Sequence, residues 1–313
     1  MMIVLIIVGA IVFLNVISFV INKVLSRNEL SSIKPTGKLV EVNGKHMHIT
    51  SMGTGEQTIV LLPGLGIPLP SVDYRPFMQE LAEKYTVVCV EYFGYGFSDG
   101  TSTPRTNANY VEETRQALTL AGFKPPYILM PYSASGIYAE YHATKYPQEV
   151  EALIMLDTTS SAEKSPNVPR FVFILSKISQ AIGMMRFLNP ILIPKFMGLN
   201  AKNGYGPTEI SDFMKFSNHS LNDTIINQNI HFSDNTIEIM AMDFPAEVPV
   251  LAIKADTYKK GTWKKYMTDH MKKLGTHAQC KVIPGSTHGS IYHDLGHRTA
   301  VREAIEEFLH PKK

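Results

Sequence analysis

Residues 127–157 read YILMPYSASGIYAEYHATKYPQEVEALIMLD. Tyr127 to Met130 is a short apolar run of strand length, Ile137 to Lys145 has helix length and ends before Pro147, and Ala152 to Leu156 is a second apolar run. Between the first run and the helix lies Pro131-Tyr132-Ser133-Ala134-Ser135-Gly136. A serine at so sharp a strand-to-helix turn is held in a strained conformation with its hydroxyl projecting. The helix N-terminus that follows favours negative charge beside it. The backbone crowds on itself there and wants small residues two places to either side, which here are Pro131 and Ser135. Ser135 is a rival nucleophile, but a turn centred on it would place bulky Ile137 where a small residue is needed. The pattern therefore favours Ser133.

Outward from this stretch the same alternation continues. Lys38 to Asn43 and Lys45 to Thr50 flank Asn43-Gly44, the dipeptide of a tight hairpin. Apolar runs follow at Thr58 to Leu62, Thr86 to Val90, Val250 to Ile253 and Gln279 to Ile283. Helix-length segments separate most of them: Tyr74 to Lys84, Asn109 to Ala121, Trp263 to Leu274 and Thr299 to Leu309. Strands apolar on both faces, alternating with helices, predict an α/β fold with a mostly parallel sheet covered on both sides. At 313 residues, 44% hydrophobic and 19% charged, the chain is long enough to bury such a core and is neither a disordered tail nor a coiled coil.

The alternation stops between Thr158 and Val248, a stretch too long for a bare loop, and a helical cap over one end of the sheet is expected there. The expected organisation is an anchor over 1–25, a linker over 26–37, core over 38–157, cap over 158–247 and core again over 248–313. Residues 171–198 are dense in Phe, Ile, Leu and Met, interrupted by Pro190 and Pro194. From Thr158 to Gly206, Lys164, Arg170, Lys177, Arg186, Lys195 and Lys202 stand against Glu163 alone. An apolar, basic surface suits a lid that leans on anionic lipid. The plainer alternative is a helix pair whose apolar face simply covers the sheet.

The first residues, MMIVLIIVGAIVFLNVISFVI, contain no charged side chain. As a helix this run spans roughly 30 Å, the hydrocarbon thickness of a bilayer. A single-pass transmembrane anchor is expected. A cleaved signal peptide is the alternative, although the positive leading segment and small-residue cleavage site it needs are not evident. Lys23, Arg27, Lys34 and Lys38 follow the run, which places the globular part on the cytoplasmic side of the cell membrane.

With these segments in order, the chain resembles the α/β-hydrolase superfamily. Residues 127–157 look like its strand, elbow, helix and next strand. VEYFGYGFSD, residues 90–99, is similar to its D-x-x-G-x-G-x-S loop, with Glu91 in the acidic place and Gly94, Gly96 and Ser98 matching. The departures lie at the elbow: Pro131 for the usual first glycine, Tyr132 for the frequent histidine and Ser135 for the last glycine. The resemblance implies a serine esterase or lipase-like enzyme with a Ser-His-Asp triad. A serine hydroxyl needs a base to take its proton. His288, in VIPGSTHG just past the last predicted strand, resembles the family's base. Asp256, just after the strand that follows the cap, stands where the family places its acid. Asp157 is its rival, since some hydrolases carry the acid there, but its plainer role is to open the insertion. The backbone N–H groups of Ala134 and of Leu65, the latter in a Pro63-Gly64-Leu65-Gly66 loop similar to the family's H-G-x loop, are the expected oxyanion donors.

Other chemistry has little support. The thirty basic and 28 acidic residues nearly balance at +2, a weak field for nucleic acid. Cys89 and Cys280 form no C-x-x-C pair, no nucleotide-binding glycine motif is complete, and His288, His293 and His297 lack a compact ligand spacing. Neither cofactor nor metal is expected. The sequence thus predicts a membrane-anchored serine hydrolase that cleaves a carboxylic ester, or a thioester or amide, of a hydrophobic small molecule. The alternative is a catalytically weak hydrolase-fold protein that binds or senses a ligand.

Overall fold

The computed structural model describes residues 1–259 and 261–311. Among them, eight strands form one sheet: β1 (Lys38–Val42), β2 (Lys45–Met52), β3 (Thr58–Leu62), β4 (Thr86–Glu91), β5 (Tyr127–Pro131), β6 (Val150–Leu156), β7 (Val250–Ala255) and β8 (Gln279–Ile283). Their lateral order is β1-β2-β4-β3-β5-β6-β7-β8. β1 and β2 join the edge antiparallel, and every pairing from β4 through β8 is parallel. The hairpin turns through Asn43 and Gly44, both at positive φ, as the dipeptide predicts.

Eleven α-helices are described: α1 (Met2–Ser26), α2 (Pro70–Asp73), α3 (Arg75–Leu81), α4 (Asn107–Ala121), α5 (Ser135–Lys145), α6 (Arg170–Ala181), α7 (Met184–Met197), α8 (Pro207–Ser217), α9 (Asp223–Met240), α10 (Gly261–Leu274) and α11 (Leu295–Leu309). Short side chains set several of their starts. Thr106 accepts from Asn109 N–H at α4, Asn222 from Ile225 N–H at α9, and Asp294 from Gly296 and His297 N–H at α11. The central strands are buried on both faces, so alternate residues serve two cores. Val60, Leu62 and Leu129 meet α4 and α5 on one face; Ile59, Leu61, Ile128 and Met130 meet α3 and α11 on the other. This two-faced burial is why the strands read as unbroken apolar runs.

Helices α6 to α9 occupy the long interval between β6 and β7. α8 closes a third apolar cluster, where Phe213 and Phe216 pack with Leu69 and Tyr205. α6 and α7 behave differently. Phe171, Ile174, Leu175 and Ile178 recur at helical spacing, as do Met184, Phe187 and Ile191, and all of them are exposed. The expectation that this apolar face covers the sheet fails for these two helices: it points outward. α6 and α7 meet at an angle of 101° about the turn at Ile182 and Gly183.

α1 is long and apolar enough to cross a membrane by itself. Its C-terminal part is pinned to the α6–α7 turn. Ser18 Oγ donates to Ile182 O at 2.6 Å, and Asn22 Nδ2 donates to Gln180 O and Ala181 O at 3.0 and 2.9 Å. Arg186 of α7 reaches back to Asn22, to Ser26 and, through both terminal nitrogens, to Glu29.

Candidate active site

β5 ends at Pro131, and the chain reverses into α5 within three residues. Ser133 takes φ +54°, a left-handed value rare for a residue with a side chain. The turn is anchored to both neighbouring strands, because Tyr132 N–H donates to Leu62 O and Ser133 N–H to Leu156 O. Pro131 is tolerated because the β5–β6 register runs to Leu129 opposite Leu153 and resumes only at the Tyr132–Leu156 bridge. The interruption falls where proline has no N–H to give.

The small residues that crowding demands are shifted from the expected places. A Cβ on Gly136 would lie 2.6 Å from Thr158 Cβ, and one on Gly64 would lie 2.9 Å from the Tyr132 ring and 3.0 Å from Ser133 Cβ. Ser135 is fully buried and is not a nucleophile candidate in this geometry. Its hydroxyl donates to Pro63 O at 2.5 Å and ties the elbow to the β3 loop that carries Leu65.

His288 Nε2 lies 3.0 Å from Ser133 Oγ, and His288 Nδ1 lies 2.6 Å from Asp157 Oδ2. The structure therefore brings Ser133 and His288 together, but the carboxylate that meets the imidazole is that of Asp157 and not that of Asp256. Asp157 follows the last residue of β6, the strand next to β5 in the sheet. It is buried and, like Ser133, left-handed at φ +45°. Its Oδ1 accepts from Ala255 N–H at 2.9 Å, which leaves Oδ2 for the imidazole. Asp256 opens the turn after β7 one strand further away, where its Oδ2 accepts from Gly285 N–H at 3.0 Å and its own N–H donates to Ser286 O. It braces the loop that carries His288 without reaching the ring.

Two partners of this arrangement were not visible in the sequence. Tyr132 stacks on His288 with ring centroids 4.8 Å apart and donates its hydroxyl to His288 O at 2.8 Å. The residue in place of the family's frequent histidine thus grips the imidazole from one side. Lys254 is buried at the end of β7 and donates to Thr158 O at 2.8 Å. Burial draws its pKa below the ordinary lysine value, against the pull of the Asp157 carboxylate. The other histidines that the sequence offers as competitors have other engagements: His293 meets buried Asp73 at 2.8 Å, His297 lies 3.1 Å from Ser290 Oγ, His46 lies beside Asp99, and His48 faces Glu91.

A cavity of about 650 Å³ opens over Ser133 and His288, with Leu65 on one side. Ser165, Val168, Phe196, Asn229 and Phe232 from the segment between β6 and β7 complete its walls. Among the described residues, the N–H groups of Leu65 and Ala134 have no hydrogen-bond partner, whereas those of the residues that follow them do. Gly66 N–H donates to Tyr95 Oη, and Ser135 N–H donates to Tyr132 O.

This chain is 31% identical over 237 residues to the uncharacterised protein YbdG of Bacillus subtilis, covering 72% of this chain and 71% of that one. A family model described as the alpha/beta hydrolase fold matches residues 57–181. The chain belongs to the α/β-hydrolase family. This α/β hydrolase is also 25% identical over 283 residues to the pimeloyl-[acyl-carrier protein] methyl ester esterase of Xanthomonas axonopodis, covering 84% of this chain and 98% of the esterase. Among solved structures, it superposes on ALR0039, a putative alpha/beta hydrolase from Nostoc, with a TM-score of 0.68 at 16% identity. That match covers 88% of this chain and 98% of ALR0039. In this hydrolase Glu91 ties its own loop together. Glu91 accepts from Ser71 and Phe97 N–H at 3.0 and 2.7 Å, and a Cβ on Gly96 would lie 2.1 Å from its carboxylate.

Proposed function

We propose that the protein is a membrane-anchored serine hydrolase that cleaves a carboxylic ester through an acyl-enzyme on Ser133. The observation that carries this reading is the continuous chain from Ser133 Oγ to His288 Nε2 at 3.0 Å and from His288 Nδ1 to Asp157 at 2.6 Å. His288 takes the hydroxyl proton as Ser133 attacks the ester carbonyl, then delivers it to the departing alcohol. Asp157, fixed by Ala255 N–H, keeps the Nδ1 proton of His288 and stabilises the imidazolium. The oxyanion is received by Leu65 and Ala134 N–H, and losing one such donor typically costs roughly 3–4 kcal/mol of transition-state stabilisation. A water then attacks the acyl carbonyl as His288 removes its proton; the bond from the acyl carbon to Ser133 Oγ breaks, His288 returns the proton to that oxygen, and the carboxylic acid is released. The esterase among the relatives and the apolar walls contributed by Val168, Phe196 and Phe232 favour an ester with a hydrophobic group.

α1 serves as the anchor in this reading. Lys23, Arg27, Lys34 and Lys38 just after its apolar run hold the globular part on the cytoplasmic face. Full-length protein is expected to hydrolyse p-nitrophenyl acetate, and Ser133→Ala to reduce turnover to background. Undiminished turnover by the purified variant removes the mechanism. Protease reaching the globular part from outside intact cells removes the orientation.

A further inference from the structure

We propose that the outward apolar face of α6 and α7 lies in the lipid interface beside α1, and that the catalytic cavity takes its ester from the bilayer. The second half of this rests on the hydrolase reading above; the first does not. Four observations converge on lipid as the occupant.

The first is the inverted amphipathicity. Phe171, Ile174, Phe187 and Ile191 are between 60 and 73% exposed, on two helices whose apolar spacing is regular. Large apolar side chains gathered on one face mark an interaction surface when they are contiguous. The second is depth. From Ser18 to Lys23 α1 rises only about 8 Å, a small part of the roughly 30 Å of a bilayer's hydrocarbon core. The first charged side chain of the chain is Lys23. Ser18 and Asn22 therefore sit at or just inside the boundary when α1 spans, and they are bonded to residues 180–182 at the α6–α7 turn. The turn is held at the same depth as its partners.

The third is charge. From residue 164 to residue 208 the chain has no Asp or Glu, while Arg170 and Lys195 lie on the two helices, together with Lys177, which is paired with Asp223 of α9. Cations beside an apolar face suit an anionic leaflet. The fourth is continuity with the cavity. Val168, just before α6, and Phe196, near the end of α7, both line the cavity over Ser133 and are both exposed, at 42 and 62%. Apolar residues at both ends of the helix pair thus belong to the exposed face and to the wall of the site. An amphiphile lying in the leaflet can slide its ester along this face toward the serine without crossing water. The 101° bend between α6 and α7 suits a pair lying on the interface better than a second span.

The test uses the full chain carrying Cys280→Ala, with buried Cys89 retained and a single cysteine introduced by Phe187→Cys, Ile191→Cys or, as control, Glu307→Cys. Each is labelled with an environment-sensitive fluorophore and reconstituted into phosphatidylcholine–phosphatidylglycerol vesicles. Nitroxide-bearing lipid is expected to quench the labels at 187 and 191 severalfold more than the label at 307, with aqueous iodide doing the opposite. Labels at 187 and 191 as open to iodide as the control overturn the proposal. So do labels shielded from both quenchers, which would place protein, a second copy or a partner, on that face. In the activity arm, the combined variant Phe171→Ser, Ile174→Ser, Phe187→Ser and Ile191→Ser is expected to slow hydrolysis of vesicle-borne p-nitrophenyl palmitate at least about tenfold. Its turnover of soluble p-nitrophenyl acetate should match the wild type. Equal effects on the two esters overturn substrate entry from the bilayer. Wild-type protein that cleaves neither ester defeats the hydrolase reading and substrate entry with it, while the quenching contrast decides lipid contact independently.

Discussion

At the residue scale the chemistry depends on which carboxylate faces His288. Asp157 has one oxygen committed to Ala255 N–H and the other 2.6 Å from the imidazole, whereas Asp256 accepts from Gly285 N–H in the loop. Asp157→Asn is expected to lower kcat about 10⁴-fold by presenting the wrong hydrogen-bonding partner to the ring. Asp256→Asn should stay within about tenfold, since the residue does not meet His288 and an amide oxygen still accepts from Gly285 N–H. Steady-state hydrolysis of a soluble ester distinguishes them. Tyr132→Phe keeps the stack on His288 and removes the hydroxyl bond to its carbonyl. A neutral bond of this kind contributes about 1 kcal/mol, so a loss of roughly fivefold in kcat with little change in KM is expected. Ser133 and His288 were legible in the sequence because each announces itself locally, one by a tight turn between strand and helix and the other by a short loop after the last strand. The acid was not. Two consecutive strands are each followed by an aspartate, and their rank depends on lateral strand order, which places β6 and not β7 beside the elbow. Only one weak local sign separated them: Asp157 precedes a run of small hydroxyl residues, a composition suited to a tight left-handed turn.

At the element scale, the strands were readable because burial on both faces makes them continuous apolar runs, and the hairpin because Asn43-Gly44 prescribes its turn. What the sequence could not reveal was the direction in which α6 and α7 face, since an apolar stripe has the same spacing whether it meets protein or lipid. Two of the joints that hold this pair connect it to the site and to α1. At one, a Cβ on Gly289 would lie 2.5 Å from Phe196 O, so the end of α7 rests directly on the loop after His288. Gly289→Ala should displace one or the other and destabilise the protein by about 1–3 kcal/mol, read as a lowered Tm together with reduced kcat. At the other, Glu29 joins the end of α1 to Arg186 and His219. Burial opposes its ionisation, yet Arg186 and His219 hold its pKa below the usual carboxylate value. A depressed carboxylate stabilises the joint above its unfolded value of 4.5 and ceases to do so as pH falls through the folded value. Amide exchange in residues 180–186 should therefore accelerate as pH is lowered from 5 to about 3, beyond its intrinsic change, and Glu29→Gln should remove that acceleration.

At the scale of the whole molecule, the sheet brings together groups that lie far apart along the chain. Leu65 follows β3, Ser133 follows β5, Asp157 follows β6 and His288 follows β8, all at the carboxyl edge of parallel strands. This is the edge where an open α/β sheet presents its loops to a ligand. The segment between β6 and β7 covers that edge, and the same segment carries the attachment of α1, so α1, the cavity and Ser133 form one connected body. The central claim is that Ser133 is a nucleophile activated through His288 by Asp157. It is tested most directly by exposing the full-length wild type, Asp157→Asn and Asp256→Asn to a fluorophosphonate and locating the adduct by mass spectrometry. Modification of Ser133 is predicted in the wild type and in Asp256→Asn at comparable rates, and about 10³-fold or more slowly in Asp157→Asn. An unmodified wild type, an adduct on Ser135, or an Asp157→Asn variant that reacts as fast as the wild type would contradict it.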